Sequence, residues 1–121
     1  MSCAAALATL RFHQRHDLGR RSEVLGNRLQ ERLRELAGTR RAIGEVRGRG
    51  LMVGVELRDE RGEPAGPLTD DVLEAMKDAG FLLGKTGPGR NVLTFMPPLV
   101  VEPEALNALV ERLDAVLASA D

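Results

Sequence analysis

The sequence predicts an α+β fold: a small antiparallel sheet of three to four strands with helices packed on it, preceded by two N-terminal helices. Three observations carry this prediction. Leucines recur on a 3.6-residue period up to Gly38, β-prone runs punctuated by glycine take over from Ile43, and a second apolar stripe at helical spacing runs from Glu102.

Each element follows from local chemistry. Cys3 to about His16 is alanine-rich and helix-prone, with Ser2 as its available cap and Leu7, Leu10 and Phe12 offered for packing. A sequence that opens in mid-helix reads as a segment of something longer. Between Asp17 and Gly38, Leu18, Leu25, Leu29, Leu33 and Leu36 form one stripe. Arg20, Arg21, Arg28, Arg32 and Arg34 fall off it, interleaved with Glu31 and Glu35, and Gly38 supplies the C-terminal stop.

Ile43 to Leu57 reads IGEVRGRGLMVGVEL, two strands around a turn that Gly48 and Gly50 permit. Asp59 to Pro67 is a polar loop, after which Thr69 or Asp70 caps a short helix carrying Val72, Leu73 and Met76 and ending near Gly80. Phe81–Gly84 and Asn91–Met96 read as the third and fourth strands, joined by a KTGPGR loop. Pro97-Pro98 ends the fourth, because proline cannot donate to a ladder. The last helix runs from Glu102 to about Ser119, with Leu106, Leu109, Val110, Leu113, Val116 and Leu117 on one face. Residues 1–121 read as a single domain.

Composition narrows the function classes. With 43% apolar and 29% charged residues the chain is neither disordered nor fibrous. No apolar run approaches the ~18 residues that would span a bilayer, and the opening MSCAAALATL lacks the basic flank of a signal peptide. Cys3 is the single cysteine, which fits a reducing compartment and a cytoplasmic location. Without Trp or Tyr and with three Phe, the chain has almost no platform for stacking bases, and no nucleic-acid partner is expected. Charge is uneven: residues 1–50 carry 11 arginines against 5 acids, residues 51–121 carry 6 basic groups against 13 acids.

Candidate chemistry is sparse. His13 and His16 stand one helical turn apart, yet no third ligand follows at a matching spacing, so no metal site is expected. Gly84-Lys85-Thr86 resembles the end of a phosphate loop, but Ala79 occupies the required glycine position and Gly-Pro-Gly follows instead of a helix. Arg47-Gly-Arg-Gly50 either holds an anion or is a tight turn with solvated arginines. Of the two lysines, Lys77 reads as a solvated helix charge, and Lys85 follows a strand without a carboxylate or glycine-rich cradle. No nucleophile–base set and no paired catalytic carboxylates emerge, so no catalytic residue is assigned.

Three segments in order, SCAAALATL, VRGRGLMVGVEL and GKTGPGRNVLTFMPPLVVEPEALNALVERLDAVL, resemble the C-terminal small domain of class III, pyridoxal-phosphate-dependent aminotransferases of the alanine–glyoxylate or 4-aminobutyrate type. The resemblance implies a parent enzyme that moves an amino group between an amino acid or amine and a 2-oxo acid. It also implies that pyridoxal 5′-phosphate and its Schiff-base lysine belong to a large domain absent from this chain. Neither Lys77 nor Lys85 matches that lysine, so the chain alone is expected to hold no cofactor and to be inactive. The expected partner is that large domain or a second copy of the parent in a homodimer.

One position carries over with a change. Many relatives read NVLR-x-x-PPL, and that arginine forks onto the substrate's α-carboxylate. Here the position is Thr94. The resemblance therefore makes Thr94 a substrate-facing candidate that lacks the charge, with a half-buried strand residue as the plain alternative. Arg47 is the second substrate-binding candidate, and Arg90 is the arginine nearest Thr94 in sequence. A reading from a different class also stands at this level: a self-standing α+β module that binds an anion or nucleic acid through the arginine-rich half.

Overall fold

The computed structural model describes residues 1–120. In chain order the elements are α1 (Ser2–His16), α2 (Leu18–Ala37), β1 (Ile43–Arg49), β2 (Met52–Leu57), α3 (Gly66–Asp78), β3 (Gly84–Thr86), β4 (Val92–Phe95) and α4 (Pro103–Ala118). The four strands form one antiparallel sheet in the order β1-β2-β4-β3. The α+β prediction and its two leading helices are both met.

Alternation along the strands assigns the two faces of the sheet. Val53, Val55 and Leu57 of β2, with Leu93 and Phe95 of β4, join a continuous core with Leu29, Leu33 and Leu36 of α2 and Leu106, Leu109 and Leu113 of α4. Val72 and Met76 of α3 complete it. Helices α2, α3 and α4 thus share one face, and the other face carries Met52, Gly54, Glu56 and Thr94, with no helix over it among the described residues.

The docking of α2 on the hairpin is unusually close. A Cβ on Gly26 would sit 1.9 Å from the carbonyl oxygen of Gly50, so only glycine fits there. The Ser22 hydroxyl, one turn earlier, accepts the Leu51 N–H at 3.1 Å. Gly50 itself turns at φ 53. The helix and the turn are therefore built for each other. Arg21 fastens the far end, donating to the carbonyls of Leu99 and Val101 at 3.2 and 2.6 Å.

Several expectations need correction. Leu7, Leu10 and Phe12 pack against nothing that buries them, and α1 has no buried residue at all. Asp17 breaks α1 from α2 in the left-handed region, φ 44, a conformation Asp tolerates better than most residues. Gly38 ends α2 as expected, with φ −68. Thr69 does not cap α3: the helix starts earlier, at Gly66-Pro67, where proline's missing N–H costs nothing. The buried Thr69 hydroxyl instead donates back to the Ala65 carbonyl at 2.8 Å.

The third strand is also displaced, from Phe81–Gly84 to Gly84–Thr86. Its partner explains the shift. Gly84 pairs with Thr94, so Leu82 and Phe81 would face Met96 and Pro97, where β4 has ended and proline has no N–H to give.

Candidate functional site

The uncovered sheet face is the place where the sequence candidates meet. Arg47 pairs with Gly54, Gly54 with Thr94, and Thr94 with Gly84, so these four residues form one row across all four strands. Thr94 stands between two glycines, on a floor without side chains. Its hydroxyl lies 3.0 Å from that of Thr86 on the neighbouring strand. Thr86 was not singled out by sequence, because Lys-Thr-Gly reads as loop until the strand shift is known.

At one end of this face Met52, Met96 and Leu82 are 64%, 66% and 85% exposed. Extending the registers of β2, β3 and β4 by one or two residues puts these three side chains in line. At the other end lies Glu56, whose carboxylate accepts from Arg58 at 3.2 Å and from the buried Asn91 amide at 3.4 Å, with Arg47 at 3.8 Å. Asn91 also donates to the Leu57 carbonyl at 2.8 Å and anchors the β3–β4 loop to the end of β2.

The cations flanking Thr94 are all matched to carboxylates. Arg47 donates to Glu45 at 2.7 Å, and Arg58 is held by Glu56. Lys85, expected to lack a carboxylate, bonds Asp70 of α3. Arg90, at φ 53, also leans on Asp70, 3.9 Å away. Lys85 pairs with Leu93 and so has the orientation of the core residues; Arg90 and Lys85 gather at the helix-covered side of the β3 edge. The structure thus brings Thr94 and Arg47 onto one face and leaves Arg90 off it. Lys77 pairs with Glu74 on exposed α3, and Phe12 stacks on His16 at 4.3 Å. Among the described residues no group of three metal-ligating side chains forms.

The Arg58 hydrogen bond, with Arg47 adding to it, lowers the Glu56 carboxyl below its ordinary value of 4.5. A carboxyl lowered in the folded state contributes stability above its unfolded value, and that contribution disappears as pH falls through the folded value. We expect thermal stability to decline as pH drops below about 4.5, and Glu56→Gln to flatten part of that decline. Melting curves of both proteins between pH 3 and pH 7, a window on the order of the carboxylate range, test this; parallel curves would refute it.

The family model described as "Aminotransferase class-III" matches residues 1–117. This chain belongs to the class III aminotransferases. The chain is 38% identical over 116 residues to the mitochondrial alanine–glyoxylate aminotransferase 2 homolog 2 of Arabidopsis thaliana, covering 94% of this chain and 24% of that protein. It is 34% identical over 120 residues to the 5-aminovalerate aminotransferase of Pseudomonas aeruginosa, covering 98% and 27%. Among solved structures, a phospholyase from Arthrobacter in complex with phosphoethanolamine superposes with a TM-score of 0.93 at 38% identity, covering 96% of this chain and 28% of that one. The chain spans about a quarter of the length of the relatives it matches. The reading as a self-standing binding module finds no support in this class III aminotransferase segment, whose matches are enzymes over nearly its full extent.

Class III membership implies pyridoxal phosphate in the full-length enzyme, and the residues here can be tested for it. A lysine amine and an anion cradle are the minimum. Both lysines carry a carboxylate partner, on α3 and at the β3 edge, and neither is on the open face. The described residues of this aminotransferase segment do not fit the cofactor, and no chemical step through it is derived. Among the described residues no helix is long and apolar enough to cross a membrane.

Proposed function

We propose that residues 1–121 act as the C-terminal small domain of a pyridoxal-phosphate-dependent aminotransferase, inactive alone, which moves an amino group between an amino acid or amine and a 2-oxo acid. One observation carries the reading: the family match runs through residues 1–117, while the chain spans only a quarter of its relatives. The cofactor and its lysine then come from a large domain, which docks on the uncovered surfaces. Those surfaces are the open sheet face and α1, a helix that buries none of its fifteen residues. The assembly works in the cytoplasm as a homodimer.

Thr94 sets the substrate preference in this reading. Its hydroxyl and that of Thr86 offer neutral hydrogen bonds where an arginine would offer a bidentate cation. Arg47, on the same row, is screened by Glu45 and Glu56 and is the secondary contact. The preferred amino donor is an amine or ω-amino acid, without a carboxylate beside the reacting amine. A second reading, elimination of phosphate from a phosphorylated amine, is favoured by the 0.93 superposition on the Arthrobacter phospholyase.

The test is a graft of this chain in place of the matching segment of the Arabidopsis relative. Cofactor absorbance with transfer from an amine donor supports the proposal, phosphate release from phosphoethanolamine supports the second reading, and a cofactor-loaded graft that does neither overturns both. Thr94→Arg in the graft is expected to raise kcat/KM for L-alanine by roughly tenfold or more, the effect of one charge-assisted contact. Alone, the chain is expected to give no stoichiometric lysine adduct after pyridoxal phosphate and borohydride.

A further inference from the structure

Four glycines stand in the strands, and the fold accounts for only two of them. A Cβ on Gly48 would lie 2.2 Å from the Met52 carbonyl oxygen, and one on Gly44 would run into the stem of Arg58. Gly54, in the middle of β2, and Gly84, at the start of β3, are under no such constraint. Neither takes a positive φ. A Cβ at Gly84 would meet the Thr94 Cβ at 3.5 Å, an ordinary contact, and one at Gly54 would meet a Val92 methyl at 3.2 Å, which a small movement of that side chain relieves. Pairing of β2 and β3 with β4 runs without a break through both positions. Glycine weakens a strand, and where neither a bulge nor a bend explains it, it marks a place where another group comes close to the backbone.

Both glycines flank Thr94 on the open face, one strand to either side. The sheet is therefore bare of side chains around the Thr94 hydroxyl over about 10 Å, two strand spacings. One border of this floor is apolar: the β2–β4 register, extended by one residue, sets Met52 opposite Met96, and both are largely exposed. The other border holds Thr86, Val92 and Glu56. Cationic charge is kept away from the middle. Arg47 closes the β1 end of the row with its guanidinium on Glu45, and Arg49 pairs with Met52, which places it at the β1 edge, two strands from Thr94.

We propose that Gly54 and Gly84 are specificity-determining residues, which keep the floor open so that a bulky apolar body of the amine donor lies directly on the sheet beside Thr94. The inference rests on the aminotransferase reading and names the donor class of that same site. The methionine border suits an apolar body, because an unbranched thioether adapts to the shape set against it. The Thr86–Thr94 hydroxyl pair adds no charge that such a body would have to strip of water. A methyl group added at either glycine lifts a bulky donor off the backbone, whereas a small donor still fits above it.

The graft into the Arabidopsis relative carries the test, with Gly84→Ala and Gly54→Ala made in it, cofactor absorbance as the check on assembly, and cyclohexylmethylamine and propylamine as donors. The expected result is a loss of roughly tenfold in kcat/KM for cyclohexylmethylamine in Gly84→Ala, carried by KM, with propylamine changed by less than about twofold. Gly54→Ala is expected to shift the same ratio in the same direction. An equal change for both donors, no change for either, or transfer from propylamine alone in the unsubstituted graft overturns the proposal and leaves the aminotransferase reading standing. Loss of cofactor absorbance in Gly84→Ala makes the floor a contact with the large domain and overturns it too. An unsubstituted graft that transfers from neither donor removes the reading and the proposal together. In the chain alone, Gly84→Ala is expected to melt no lower than the native chain; a fall of more than about 5 °C would make the glycine a structural requirement and sink the idea.

Discussion

Gly26→Ala will lower the melting temperature of this chain by about 8 °C. The added Cβ lands 1.9 Å from the Gly50 oxygen and 2.1 Å from its carbonyl carbon, both backbone atoms that cannot rotate aside. Helix and hairpin must separate, which costs roughly 3 kcal/mol by comparison with other overpacked cores. Alanine's better helix propensity returns about 1 kcal/mol at most. For a domain of this size each kcal/mol moves the midpoint by about 4 °C. Gly19 in the same helix is the internal control, because a Cβ there meets nothing within 4 Å. Gly19→Ala is expected to raise the midpoint by ~3 °C through propensity alone. Two alanine variants of one helix thus move in opposite directions, and circular dichroism melts read both. If both shift the same way, the close contact does not govern stability.

The second large effect belongs to Phe95. It is 2% exposed, pairs across strands with Val53, and forms part of the wall of a 250 Å³ apolar groove beneath the Pro97-Pro98 exit. Phe95→Ala removes the largest fully buried side chain and enlarges a void that already exists, so the surroundings have little to collapse onto it. The expected loss is about 3–5 kcal/mol, against a total stability on the order of 5–15 kcal/mol. Urea unfolding should show the midpoint falling with little change in slope. A loss below ~1 kcal/mol would mean that the groove wall closes over the gap.

How much of this was legible beforehand varies by element. The leucine stripe of α2 and the glycine-punctuated hairpin were readable, because periodicity and turn chemistry agree there with burial. The position of β3 was not. Phe81-Leu-Leu has every local mark of a strand, and what denies it a ladder is the Pro97-Pro98 pair that ends its partner downstream. For α1, leucine at helical spacing suggested packing, yet no other part of the described chain covers the helix. Thr94 and Arg47 were each readable as candidates. That they share one row, with Gly54 between them, follows from the β1–β2–β4 register, which no local pattern encodes. Thr86 entered the site only through the shifted strand.

The two outer strands have a bearing on self-association. An exposed strand edge is a template on which another chain can add, and folded proteins guard against it. At β3 the guard is brevity. Three residues pair, and the extended Phe81–Leu83 stretch before them runs alongside prolines rather than along a ladder that a second molecule could continue. At β1 the guard is charge, with Glu45, Arg47 and Arg49 along a seven-residue edge that an added strand would have to strip of water. The Pro97-Pro98 step that shortens the sheet therefore also helps keep it from growing into fibrils.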